Sequence, residues 1–240
     1  CLHRLVLRRP TAEATIGALA SGYVNAANLG IPVAVLVLGD AATIAPILLL
    51  QLLVLTPATF TVLDAVTRRG NPSRLATLTV PLRNPLLWGV VAGTAANLGG
   101  VDLKEWGGGY PAQGLEMLGR VAVPLMMLAL GMSLAGAPRP LRTPAPDAPV
   151  HGAGRRSDLW LAVGWKLAVM PGLAVVVGLA AGLSGGQLLA PVVTAALPTA
   201  QNVFMYASRY GAAKDLARDA VLLTTAGFVP VVLLAAALLH

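Results

Sequence analysis

Two amide-rich runs stand where apolar helix is expected. Asn25-Ala26-Ala27-Asn28-Leu29-Gly30-Ile31-Pro32 lies inside one apolar stretch, and Leu197-Pro198-Thr199-Ala200-Gln201-Asn202 lies inside another. Asn, Gln and Thr carry hydrogen-bonding groups but no charge, which suits the capture of a polar solute. In hydrocarbon every backbone N–H and C=O must be bonded internally, so a helix interrupted by Pro, Gly and Asn is tolerated only where it lines a polar cavity. Two interruptions in separate stretches predict a binding site near the bilayer midplane.

The local chemistry of the two breaks is alike. Asn25 and Asn28 suit cap positions, because a short amide bonds free backbone groups. Gly30 relieves steric limits, and Pro32 fits the first turn of a restarted helix, where its missing N–H costs nothing. In the other stretch Pro198 pushes Leu197 out of helical geometry, and Thr199, Gln201 and Asn202 follow. Each break leaves a half-helix N-terminus inside the membrane, and such ends favour negative charge. The bland alternative is a pair of ordinary proline kinks.

Lys166 lies between Trp165 and Pro171 in a third apolar stretch. A lysine at the centre of a span costs about 2.5–3.5 kcal/mol on insertion scales, so it needs a partner, a role or a path to the surface. It either snorkels to the cytoplasmic side or faces inward and serves an anion. Glu13, Asp40, Asp64, Asp102, Glu116, Asp158 and Asp219 all fall near stretch ends or in connections, so no mid-span acid is available for proton coupling. The rival enzymes lack their residues. Asp40 and Asp64 do not form an aspartyl-protease pair, and His3, His151 and His240 read as peripheral, away from any serine nucleophile. A retinal-type Schiff base needs a lysine that the last stretch lacks. No catalytic residue, metal site or cofactor is expected. A membrane sensor or scaffold remains the alternative to a transporter.

The elements that must place these residues are apolar helices. Hydrophobic residues make up 56% of the 240 residues and charged ones 11%, against about 25% charged in soluble domains. The fold class is therefore an all-α integral membrane protein. Seven stretches long enough to cross a bilayer run 13–38, 42–66, 84–102, 115–136, 158–182, 187–208 and 218–239. Arg and Lys cluster in alternate connections: Arg4, Arg8 and Arg9; Arg68, Arg69, Arg74 and Arg83; Arg139, Arg142, Arg155 and Arg156; Arg209, Lys214 and Arg218. This alternation places residues 1–12 in the cytoplasm and the C-terminus outside. The net charge of +7 thus reports topology and not nucleic-acid binding. The proline-rich connection 137–157 is expected to be a flexible cytoplasmic loop.

Taken in order, these residues resemble the auxin efflux carrier family in its short bacterial form. The resemblance rests on Gly22 to Pro32, on Arg83-Asn84-Pro85, on Val123-Pro124 through Leu134, on Lys166 to Pro171, and on Ala196 to Tyr206. It implies ten helices in two inverted five-helix repeats, with two broken helices crossing at Pro32 and Pro198. Residues 1–66 would then be the later part of the first repeat, 67–82 a short cytoplasmic connection, and 83–240 the second repeat. The first two helices and most of the third would precede residue 1. The resemblance also implies an elevator-like carrier in the cell membrane, often a homodimer, for small organic anions such as carboxylates.

Overall fold

The computed structural model describes residues 2–5, 7–67, 85–102, 105, 109–134 and 152–239. Every described element is helical. In chain order they are α1 (Leu2–Leu5), α2 (Thr11–Gly22), α3 (Ala26–Leu38), α4 (Ala42–Thr67), α5 (Pro85–Leu98), α6 (Tyr110–Leu134), α7 (152–180), α8 (Gly186–Ala196), α9 (Gln201–Tyr210) and α10 (Lys214–Leu239). The chain divides into two compact units, one of Cys1–Leu49 with Ser133–His240 and one of Leu50–Met132.

Among the described residues, Ala42–Thr67, Arg156–Ala180 and Lys214–Leu239 are long and apolar enough to cross a membrane. Leu36, Leu98, Leu233 and Leu238 are exposed, as befits surfaces that hydrocarbon wets. The apolar helices Ala26–Leu38 and Gly186–Ala196 are shorter. Each joins a partner across a break: α2 ends at Gly22 and α3 resumes at Ala26, while α8 ends at Ala196 and α9 resumes at Gln201. The connection expected at 137–157 ends earlier, since 152–157 are already the first turns of α7. Residues 135–151 lie outside the described residues, as does most of 67–82.

Proline shapes the helices in a repeated way. Wide π turns at Ala26–Gly30, Gln51–Leu55 and Trp165–Val169 each end two residues before a proline: Pro32, Pro57 and Pro171. Proline removes a donor and crowds the carbonyl of the preceding turn. A π turn inserts one residue and absorbs that conflict without ending the helix. In α4 the Gln51 carbonyl accepts both the Thr56 N–H and, at 2.8 Å, the Thr56 hydroxyl.

In the first unit α2, α7, α8, α9 and α10 pack on one another around the second break, and α3 lies against α8. Val24, Ala26, Ala34, Ile44 and Leu197 form one buried cluster, joined by Ile47 and Leu48. Leu189, Val193, Ala196 and Val232 form another. The unit brings its helices close through glycine. A Cβ at Gly227 would stand 2.4 Å from Leu167 Cδ1, and one at Gly178 would stand 2.4 Å from Leu188 Cδ2.

Candidate functional site

The two breaks meet. Tyr23 and Ala200 are extended, and the two breaks pair as a short antiparallel bridge centred on Val24 and Thr199. The Asn25 N–H donates to the Pro198 carbonyl at 2.8 Å, and the Ala200 N–H donates to the Tyr23 carbonyl at 3.0 Å. Four backbone groups that unwinding would strand are thereby satisfied. The Thr199 N–H donates to Thr224 Oγ1 at 3.0 Å, and the Thr199 hydroxyl donates to the Ala20 carbonyl at 2.6 Å. Tyr23 and Tyr206 close one side with an edge-to-face contact, ring centroids 6.4 Å apart.

The crossing register differs from the expectation of Pro32 against Pro198. Pro198 is at the crossing, but the first helix opens at Tyr23–Asn25, seven residues before Pro32. Pro32 is exposed and lies in continuous helix, held by the π turn before it. The physical reason is local: the π turn before Pro32 absorbs its missing N–H and the crowding of its ring, so the helix continues through it.

The amides divide into roles that the sequence does not separate. Asn28 donates from Nδ2 to Gln201 Oε1 at 3.3 Å, bridging the two breaks. Asn25 does not cap α3 with its side chain. Its backbone carbonyl instead accepts from Leu29 and Gly30, and its Nδ2 is buried with no hydrogen-bond partner among the described residues. Asn25 is 3% exposed, so that amide group faces neither bulk solvent nor a protein acceptor. A buried, unmade donor costs about 1–3 kcal/mol, which a ligand acceptor would recover. Gly30 serves packing: a Cβ there would stand 3.0 Å from Leu197 Cδ1. Gln201 is buried and Asn202 half-buried at the start of α9. Both α3 and α9 begin at the crossing, so two positive helix ends meet there.

Lys166 is 0% exposed, which rules out snorkelling to the surface. It sits in the π turn Trp165–Val169, which packs against α2, α8 and α10. Its ammonium has the Met170 thioether at 3.6 Å, and among the described residues no carboxylate pairs with it. The extra residue of the π turn rotates the helix face and carries this lysine inward.

A second polar cluster was illegible in the sequence. His3, read as peripheral, is 3% exposed. Its Nδ1 lies 3.1 Å from Asp158 Oδ1 and its Nε2 lies 3.3 Å from Ser21 Oγ, while Arg9 Nε donates to Asp158 Oδ2 at 2.7 Å. The partners are 155 and 18 residues away, so no local spacing marks them. The order Ser, His, Asp invites comparison with a nucleophilic triad, but the Ser21 hydroxyl donates to the Gly17 carbonyl at 2.8 Å.

Crossed, broken helices with buried amides at the junction suit a membrane transporter, and the comparisons supply the family. A family model described as "Membrane transport protein" matches residues 73–236. The chain belongs to that family, the auxin efflux carriers. It is 31% identical, over 235 residues and 92% of its length, to a curated protein of Rhizobium meliloti (strain 1021) named "Putative malonate transporter". The chain spans 66% of that relative's length.

Proposed function

We propose that the protein is a secondary transporter for small organic anions, with short dicarboxylates of the malonate type as the first substrates to test. The anion binds where the two broken helices cross, and alternating access carries it over the membrane. One observation carries this reading: the buried Asn25 Nδ2, without a partner among the described residues, at the junction of two helix N-termini. An oxygen anion supplies the acceptor that this donor lacks. Asn28, Gln201 and Asn202 line the same junction, with Gly30, Pro32, Pro198 and Thr199 shaping its backbone. The buried charge of Lys166 lowers the cost of bringing an anion into a medium of low dielectric. The relative's name points to the same substrate class.

In this reading the chain contributes seven spans of a ten-helix inverted repeat in the cell membrane. Residues 1–12 face the cytoplasm, the C-terminus lies outside, and a homodimer is the working assembly. The test is uptake of radiolabelled malonate into proteoliposomes, with succinate, propionate and glycerol as competitors. Saturable uptake, inhibited by the carboxylates and not by glycerol, supports the proposal. Uptake no faster than in protein-free vesicles for every carboxylate tried contradicts it.

A further inference from the structure

The cluster of His3, Asp158, Ser21 and Arg9 is a built site that the anion pocket does not use. Gly17 makes room for it: a Cβ there would stand 2.7 Å from His3 Cγ and Nδ1 and 2.8 Å from Cδ2, so the imidazole occupies a notch that only glycine leaves. The ring is held at both nitrogens, by Asp158 Oδ1 and by Ser21 Oγ. The Ser21 proton is committed to the Gly17 carbonyl. Hydrogen-bond accounting then distinguishes two states. An imidazolium donates to Asp158 and to Ser21, and every proton has an acceptor. A neutral ring that keeps its Nδ1 proton on Asp158 turns Nε2 into an acceptor. Ser21 must then swing its hydroxyl from Gly17 to His3 to satisfy it.

We propose that His3 is a proton-binding site of the carrier, whose state is passed to the anion pocket through the Ser21 hydroxyl in the last turn of α2. Ser21 lies one residue before the end of α2 and four before Asn25. Loading the proton leaves Ser21 bonded within α2, and releasing it withdraws that bond from the turn that leads into the crossing. It also changes local charge. With Arg9 already on Asp158, a proton on His3 makes this cluster net positive. Among the described residues, the charged groups on the ring are Asp158 from α7 and, through it, Arg9 from the α1–α2 connection. On α2, Glu13 lies one turn before Gly17 and is half-buried. By linkage a proton that favours the anion is itself favoured by the anion. Histidine charge in general changes between about pH 5 and 8, so that is the window to scan.

The test has two arms on the intact protein in nanodiscs or liposomes. The first is nitrogen NMR of labelled histidine, with His3→Gln assigning one signal set among three histidines. Expected is an imidazolium that gives way to the Nδ1–H form as pH rises, with malonate extending the range of the imidazolium. A His3 that holds one state throughout, or that becomes the Nε2–H form, overturns the proposal. The second arm is the pH profile of malonate uptake, which depends on the carrier reading. Wild type should lose about fivefold between acid and alkaline ends of the range, the lower bound for coupled sites. His3→Gln and the milder Ser21→Ala should keep only the slope that malonate's own titration imposes. Profiles identical to wild type in both variants overturn the proposal. If His3 titrates as expected while wild type takes up no malonate, the proton site stands and the carrier reading falls.

Discussion

Asn25 donates its backbone N–H to the Pro198 carbonyl at 2.8 Å, so each interrupted helix supplies the hydrogen-bond partner that the other has lost. Neither break is tolerable alone in a membrane interior. Together they satisfy four backbone groups across the crossing. The Asn25 carboxamide is the leftover donor.

Replacing Asn25 by Ala should abolish that donor at little cost to the fold, because Nδ2 has no hydrogen-bond partner among the described residues. Loss of one hydrogen bond to a charged group corresponds to about 1.5–3 kcal/mol, a fall of roughly ten- to hundredfold in affinity. Malonate affinity measured with equal amounts of inserted protein checks this.

Asn28 and Gln201 should behave as a coupled pair. Their amides bond at 3.3 Å, so single alanine variants each break the same contact. The double variant should cost less than the sum of the two, with a coupling of about 0.5–1 kcal/mol in thermal or denaturant stability. Strict additivity counts against the bridge.

Thr199→Val should destabilise without retuning substrate choice. The hydroxyl holds the Ala20 carbonyl at 2.6 Å, and valine leaves that buried acceptor short of a partner. The expected loss is about 1–3 kcal/mol, read as a lower unfolding midpoint in detergent. An unchanged midpoint contradicts the bracing role.

Lys166→Met should separate stability from function. The ammonium is buried beside a thioether, with no carboxylate partner among the described residues, and replacing a buried charge by an apolar group of similar volume is often neutral or stabilising by about 1–4 kcal/mol. The variant should unfold no earlier than wild type and lose most malonate uptake. Full uptake would show that this charge does not serve the anion.

Gly17→Ala should cost about 1–3 kcal/mol by overpacking against the His3 ring. His3→Ala in the same chain should recover part of that loss, because it empties the notch. No recovery in the double variant contradicts the placement of the ring.

The breaks were legible because proline, glycine and asparagine are costly inside apolar sequence unless a polar cavity takes up the groups they free. Their register was not. Pro32 looks like the breaking residue, but a π turn at Ala26–Gly30 carries the helix through it, and the chain opens earlier, at Tyr23. A π turn inserts one residue and leaves no mark in composition. The same device turned Lys166 inward, which spacing alone left open between surface and interior. His3 was misread because its burial depends on Asp158 and Ser21, residues joined to it only by tertiary packing.

The most direct test is equilibrium binding of radiolabelled malonate to purified protein, wild type beside Asn25→Ala, at matched folding. The crossing accounts for anion capture if wild type binds saturably and the variant binds at least about tenfold more weakly, the loss of one charge-assisted hydrogen bond. Equal affinities in the two proteins would contradict it.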